Sequence, residues 1–112
     1  MSPTDHDLHT AYVSHLSHVS SFMLGKTVLE IEKDEAQIFD LASTGFASTV
    51  RLAKSHPQMW TPIFLENKTN VLKALTEYIK NLENFKQLLE TDQAEGITQN
   101  IKEANYIRKI LK

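Results

Sequence analysis

At 112 residues, with 41% apolar and 23% charged side chains, the chain has the composition of one folded domain, and a disordered tail is excluded. Its formal charge of −2, with lysines and arginines interspersed among acids, supplies no basic stripe, so nucleic acid is not an expected partner. The lack of cysteine excludes a disulfide framework or a thiolate metal site, and neither a membrane span nor a secretory signal can be read in "MSPTDHDLHT" or beyond, so a soluble, cytoplasmic protein or piece of one is expected.

In chain order, "SPTD" opens the first helix: Ser2 caps, Pro3 suits the first helical position, and Asp5 favours the positive end. Leu8, Ala11, Tyr12, Val19, Phe22 and Met23 recur at helical spacing, so one continuous helix is predicted into "EIEKDE". Asp34 can cap a second helix holding Ile38, Phe39 and Leu41, which stops before a turn at Gly45. A short third helix over about Ala47–Ser55 ends where "SHP" disfavours continuation. After a helical turn in "PQMWTP", a long fourth helix begins near Pro62, with Val71, Leu75, Tyr78, Leu82, Phe85 and Leu89 alternating four and three apart. Asp92 and Glu95 form a capping pair for a last helix carrying Ile97, Ile101, Ala104, Ile107 and Leu111, with Arg108, Lys109 and Lys112 at its negative end. No strand alternation occurs, so the expected fold is all-α, a bundle of about five helices with one long member.

That long helix carries an expectation about assembly. From Pro62 to about Thr91 it spans roughly 45 Å at 1.5 Å per residue, against about 34 Å for a compact sphere of this chain length. An overhanging apolar stripe needs a cover, and a second copy of the chain is the commonest one, so a homodimer is predicted.

Two of the five histidines fall three apart in "SHLSH". On a regular helix His15 lies near the centre of the apolar face and His18 toward its edge, so burial and half-burial are expected. Such residues are core imidazoles or groups lining a cleft. His6 and His9 lie about 120° round a regular helix from that pair at 100° per residue, and no HExxH or ExxH pattern accompanies the four, so no metal site is expected. An exposed His6 or His9 would suit a phosphotransfer module, the alternative function. Arg51, in "STVRLAKS", is either a surface arginine or a carboxylate-binding wall of a pocket. Trp60, the only tryptophan, reads as a core or interface anchor. Glycine occurs only at 25, 45 and 96, so no dinucleotide- or phosphate-binding loop exists in this chain, and no Ser/His/Asp arrangement is supported.

Taken together, "HDLHTAYVSHLSH", "GFASTVRLAKSHPQMW", "ENKTNVLKALTEYIKNLENFKQLL" and "EANYIRKIL" resemble, in order and spacing, the C-terminal helical domain of prephenate dehydrogenases. The resemblance implies a domain that dimerises and completes a substrate pocket for prephenate or arogenate. An N-terminal Rossmann domain, absent from this chain, would bind NAD or NADP and supply the catalytic histidine. It further implies substrate-binding roles for Ser14, His15, His18, Arg51 and Trp60, with no catalytic, cofactor or metal residue in this half and no dehydrogenase activity from it alone. Ser17 stands where proline is usual, which predicts a straighter helix, and Ala47 and Ser48 stand where many members carry Arg-Asp.

Overall fold

The first helix starts where its sequence directs. Ser2 is extended, its Oγ accepts the Asp5 amide at 3.1 Å, Pro3 fills the first helical position, and α1 spans Pro3–Thr10. The computed structural model describes residues 1–32, 35–41 and 44–111, the side chains of 39–41 excepted; among these residues the fold is all-α, with no strand. Asp34 and Lys112, read above as a cap and a terminal cation, lie outside the described residues, as do the side chains of Phe39 and Leu41. No helix among the described residues is long and apolar enough to cross a membrane.

The expected unbroken first helix contains one π turn. It occupies Ala11–His15, where the Leu16 amide donates to the Ala11 carbonyl five residues back, and α2 then runs Leu16–Ile31. Each residue of a π turn sweeps a smaller angle than in an α-helix. The regular 100° count from His6 to His15 therefore overshoots, and the two histidines line one cleft instead of separate faces. Ser17 is part of α2, its Oγ donating to the Val13 carbonyl at 3.2 Å.

Three further boundaries differ from expectation. Gly45 lies within α4 (Thr44–Thr49), which follows α3 (Glu35–Leu41), and no described glycine has a positive φ, so it makes no tight turn. The chain then forms a 3₁₀ helix, Arg51–Lys54, and His56 is held extended (φ −71°, ψ 128°) ahead of Pro57. Pro57 starts α5, Pro57–Glu66, and Pro62 lies inside it, sixth of its ten residues, where it forfeits the bond to the carbonyl of the exposed Gln58. The break falls at Asn67 (φ −113°, ψ 29°) and α6 is Lys68–Glu90. At 23 residues, α6 is about 35 Å long. Length alone therefore no longer calls for a covering surface; exposed side chains do.

Residues Met1–Ala74 form one compact unit and Leu75–Lys112 a second. In the first, Ala11, Val71 and Ala74 are the buried apolar residues, with Leu16 packed against them. Ser21 fixes the Arg51-bearing segment to α2: its Oγ donates to the Thr49 carbonyl at 2.6 Å, and Ala53 packs over Gly25, where a Cβ would lie 3.4 Å from its own.

The second unit joins the end of α6 to α7, Ala94–Asn105, and a closing 3₁₀ helix, Tyr106–Lys109, which holds Arg108 and Lys109. Its turn is a Schellman motif: Gln93 N–H bonds the Leu88 carbonyl at 2.9 Å and Asp92 N–H the Leu89 carbonyl at 3.2 Å. Asp92 is thus the left-handed residue ending α6 (φ 55°). It does not cap α7, whose N-cap is Gln93 without a side-chain bond. Gly96 seats α7 on α6, because a Cβ there would lie 2.8 Å from Leu88 Cδ2. Left-handed backbone opposes any Cβ, so Asp92→Gly is expected to raise stability by about 0.5–1 kcal/mol, read as a higher urea midpoint at unchanged slope.

Candidate functional site

Five rings meet between α5 and the stretch from the π turn into α2. His15, His18 and Phe22 project from one side at steps of three and four; Trp60 and Phe64, four apart on α5, project from the other. The His18 imidazole stacks on the Trp60 indole, centroids 3.4 Å apart and planes at 20°. His15 meets Trp60 and Phe64 edge to face at 6.0 and 6.5 Å, and Phe22 meets Phe64 the same way at 6.3 Å. His18 Nδ1 lies 3.0 Å from the Ser14 carbonyl; because a carbonyl only accepts, Nδ1 carries the proton and the Nε2 of neutral His18 is an acceptor.

His15 is 9% exposed, as the spacing of its helix predicts, and lines a cleft of about 330 Å³ with His6, Asp7, Thr10, Ile63, Glu66 and Asn67. Burial first, then the neighbouring His18, hold its pKa below the ordinary 6.5, against an opposite pull from Asp7. The unfolded chain therefore takes up this proton more readily than the folded one. Stability should fall as pH drops through 6.5, and go on falling until His15 protonates in the folded state. The urea midpoint is expected to be lower near about pH 5.5 than near about pH 7.5, and the difference to shrink in His15→Gln.

Of the residues singled out from sequence, Ser14, His15, His18 and Trp60 are brought together. Arg51 is not part of that cluster: it is exposed on the 3₁₀ helix, and among the described residues no hydrogen bond, ion pair or ring contact joins it to the imidazoles. Its segment reaches α2 through Ser21, three residues beyond His18. Sequence reasoning missed Phe64 and Asn67. Asn67 had a signal, since asparagine is a poor residue for a helix interior and a good one at a helix end.

An all-helical domain with a paired, partly buried imidazole cluster now has a class. The chain belongs to the family described as "Prephenate dehydrogenase, dimerization domain", whose model matches residues 2–103. It is similar to the prephenate dehydrogenase of Bacillus subtilis (strain 168), 31% identical over 108 residues, which is 96% of this chain and 29% of that one. Among solved structures, arogenate dehydrogenase from Synechocystis superposes with a TM-score of 0.90 at 28% identity, over 100% of this chain and 41% of that one. Prephenate dehydrogenase from A. aeolicus, in complex with hydroxyphenyl propionate and NAD+, gives 0.87 at 38% identity, over 100% of this chain and 39% of that one. The chain thus spans well under half the length of these relatives. Membership in this family decides for the dehydrogenase-domain reading over the phosphotransfer module.

Proposed function

We propose that this chain is the dimerisation and substrate-binding domain of a dehydrogenase that oxidatively decarboxylates prephenate or arogenate, working with a Rossmann domain that holds NAD or NADP. The observation that carries this reading is the superposition of the whole chain on the A. aeolicus enzyme, whose complex contains hydroxyphenyl propionate and NAD+. Such a substrate carries two carboxylates and a ring that must be held still while hydride leaves it. Arg51 offers a planar fork for a carboxylate, His15 and His18 offer imidazole hydrogen-bonding groups on an apolar wall, and Trp60 backs His18 with a flat face. The cofactor supplies the hydride acceptor. Cytoplasmic work alongside the NAD(P) pool follows from the same reading.

A chimera tests it. This chain replaces the matching 39% of the A. aeolicus enzyme, and NAD+ reduction is followed with prephenate and with arogenate separately. Turnover of either, absent from this chain alone, is the expected result. A folded chimera inert with both substrates would sink the assignment.

A further inference from the structure

Asn67 stands where α5 gives way to α6, and its side-chain amide is fully engaged. Nδ2 donates to the Asp7 carbonyl at 2.9 Å and lies 3.3 Å from His15 Nδ1, while Oδ1 accepts from Asn70 Nδ2 at 2.9 Å. The Asp7 carbonyl orients the amide. Turned over, it would set Oδ1 against the Asp7 carbonyl oxygen, a repulsive pair, whereas as it stands Oδ1 is satisfied by Asn70. The two amide hydrogens therefore meet two acceptors, the Asp7 carbonyl and His15 Nδ1. A proton on Nδ1 would face the amide donor to donor.

We propose that Asn67 is a positioning residue that holds His15 as its Nε2–H tautomer, so that the two imidazoles of the cluster carry opposite tautomers, His15 with a donor at Nε2 and His18 with an acceptor there. The tautomer follows from the chain's own geometry, and its use in a substrate pocket rests on the function proposed above. The depressed proton affinity of His15 agrees with it, since a cationic ring would lose the Asn67 bond as well as its hydration. The ionisable groups around His15 are His6 and Asp7 from α1, His18 from α2 and Glu66 from α5. Of these, Asp7 pulls toward the cation, and it is outweighed. Asn67 resolves the balance in favour of one neutral form.

The experiment is a long-range ¹H–¹⁵N correlation spectrum of the chain labelled in its histidines, followed across pH. In the native chain His15 is expected to show an unprotonated Nδ1 and a protonated Nε2 throughout the neutral range. In Asn67→Asp the new carboxylate accepts from Nδ1–H, so the proton moves to Nδ1 and the His15 titration midpoint rises by about one unit or more. Asn70→Ala is the control: it frees Oδ1 but leaves the Asp7 carbonyl holding Nδ2, and is expected to keep the native tautomer.

In the chimera, Asn67→Asp should move the acidic limb of the kcat/KM profile upward, which a merely structural role would not do. A native His15 protonated at Nδ1, or a tautomer that stays fixed in every folded variant, overturns the inference. The spectra need no substrate, so a chimera without turnover defeats the proposed function and leaves the tautomer result standing. An Nδ1–H signal alongside a working chimera does the reverse.

Discussion

Leu82→Glu is expected to turn a dimer into a monomer, seen in sedimentation at micromolar concentration as a fall from twice the chain mass to the chain mass. The reason lies in the second unit. Among its described residues none is buried, while Ile79, Leu82, Phe85 and Leu89 on α6 are 44, 52, 39 and 59% exposed and Ile101 on α7 is 51% exposed. A helix pair draws its stability from covering its apolar faces, and this one covers little of them. The expected cover is the same face of a second copy of the chain, in line with a family described as a dimerization domain. In a two-fold interface each substitution enters twice. Losing about 1.5–3 kcal/mol at each of two leucine sites weakens association by a hundredfold or more. A native chain that sediments only as a monomer at that concentration, or a Leu82→Glu chain that pairs as tightly as the native one, would refute the dimer.

The helical class was legible because it rests on a periodicity that side chains cannot disguise: the α6 row from Val71 to Leu89 and the Ser2-Pro3 start both appear where the spacing puts them. Burial of His15 and half-burial of His18 followed from the same count. The boundary misses share a cause, one local signal overruled by a competing one a few residues away. Pro62 reads as a helix start, yet the helix carrying it begins at Pro57, which takes the first helical position, and continues through Pro62 at the loss of the bond to the Gln58 carbonyl. Asp92 and Glu95 read as a capping pair, but the Schellman turn that closes the α6 end claims Asp92 first. The π turn leaves no mark in composition. Its effect, bringing His6 and His15 to one cleft, belongs to the backbone path and not to residue spacing. Composition marks Asn67 as a helix-end residue but not its partners, since Asp7 and His15 lie 60 and 52 residues away.

Arg51→Ala in the chimera is expected to raise KM for prephenate by roughly thirtyfold to a thousandfold, the equivalent of about 2–4 kcal/mol for a bidentate, charge-assisted contact to a carboxylate. The native arginine is exposed, on the 3₁₀ segment that Ser21 ties to α2. An exposed guanidinium with no ionic partner among the described residues is hydrated and free to reorganise toward an anion, whereas a buried ion pair would first have to be broken. Arg51→Lys keeps the charge but loses the planar fork, and should fall between the native and alanine forms. If Arg51 binds the ground state and the transition state alike, kcat changes little and KM carries the effect; a parallel fall in kcat would instead mean that the contact tightens as the ring reacts. Either pattern keeps Arg51 as a substrate-binding residue. Unchanged KM and kcat in Arg51→Ala would return it to the surface, and the ring cluster of His15, His18 and Trp60 would have to hold the substrate without a cation from this domain.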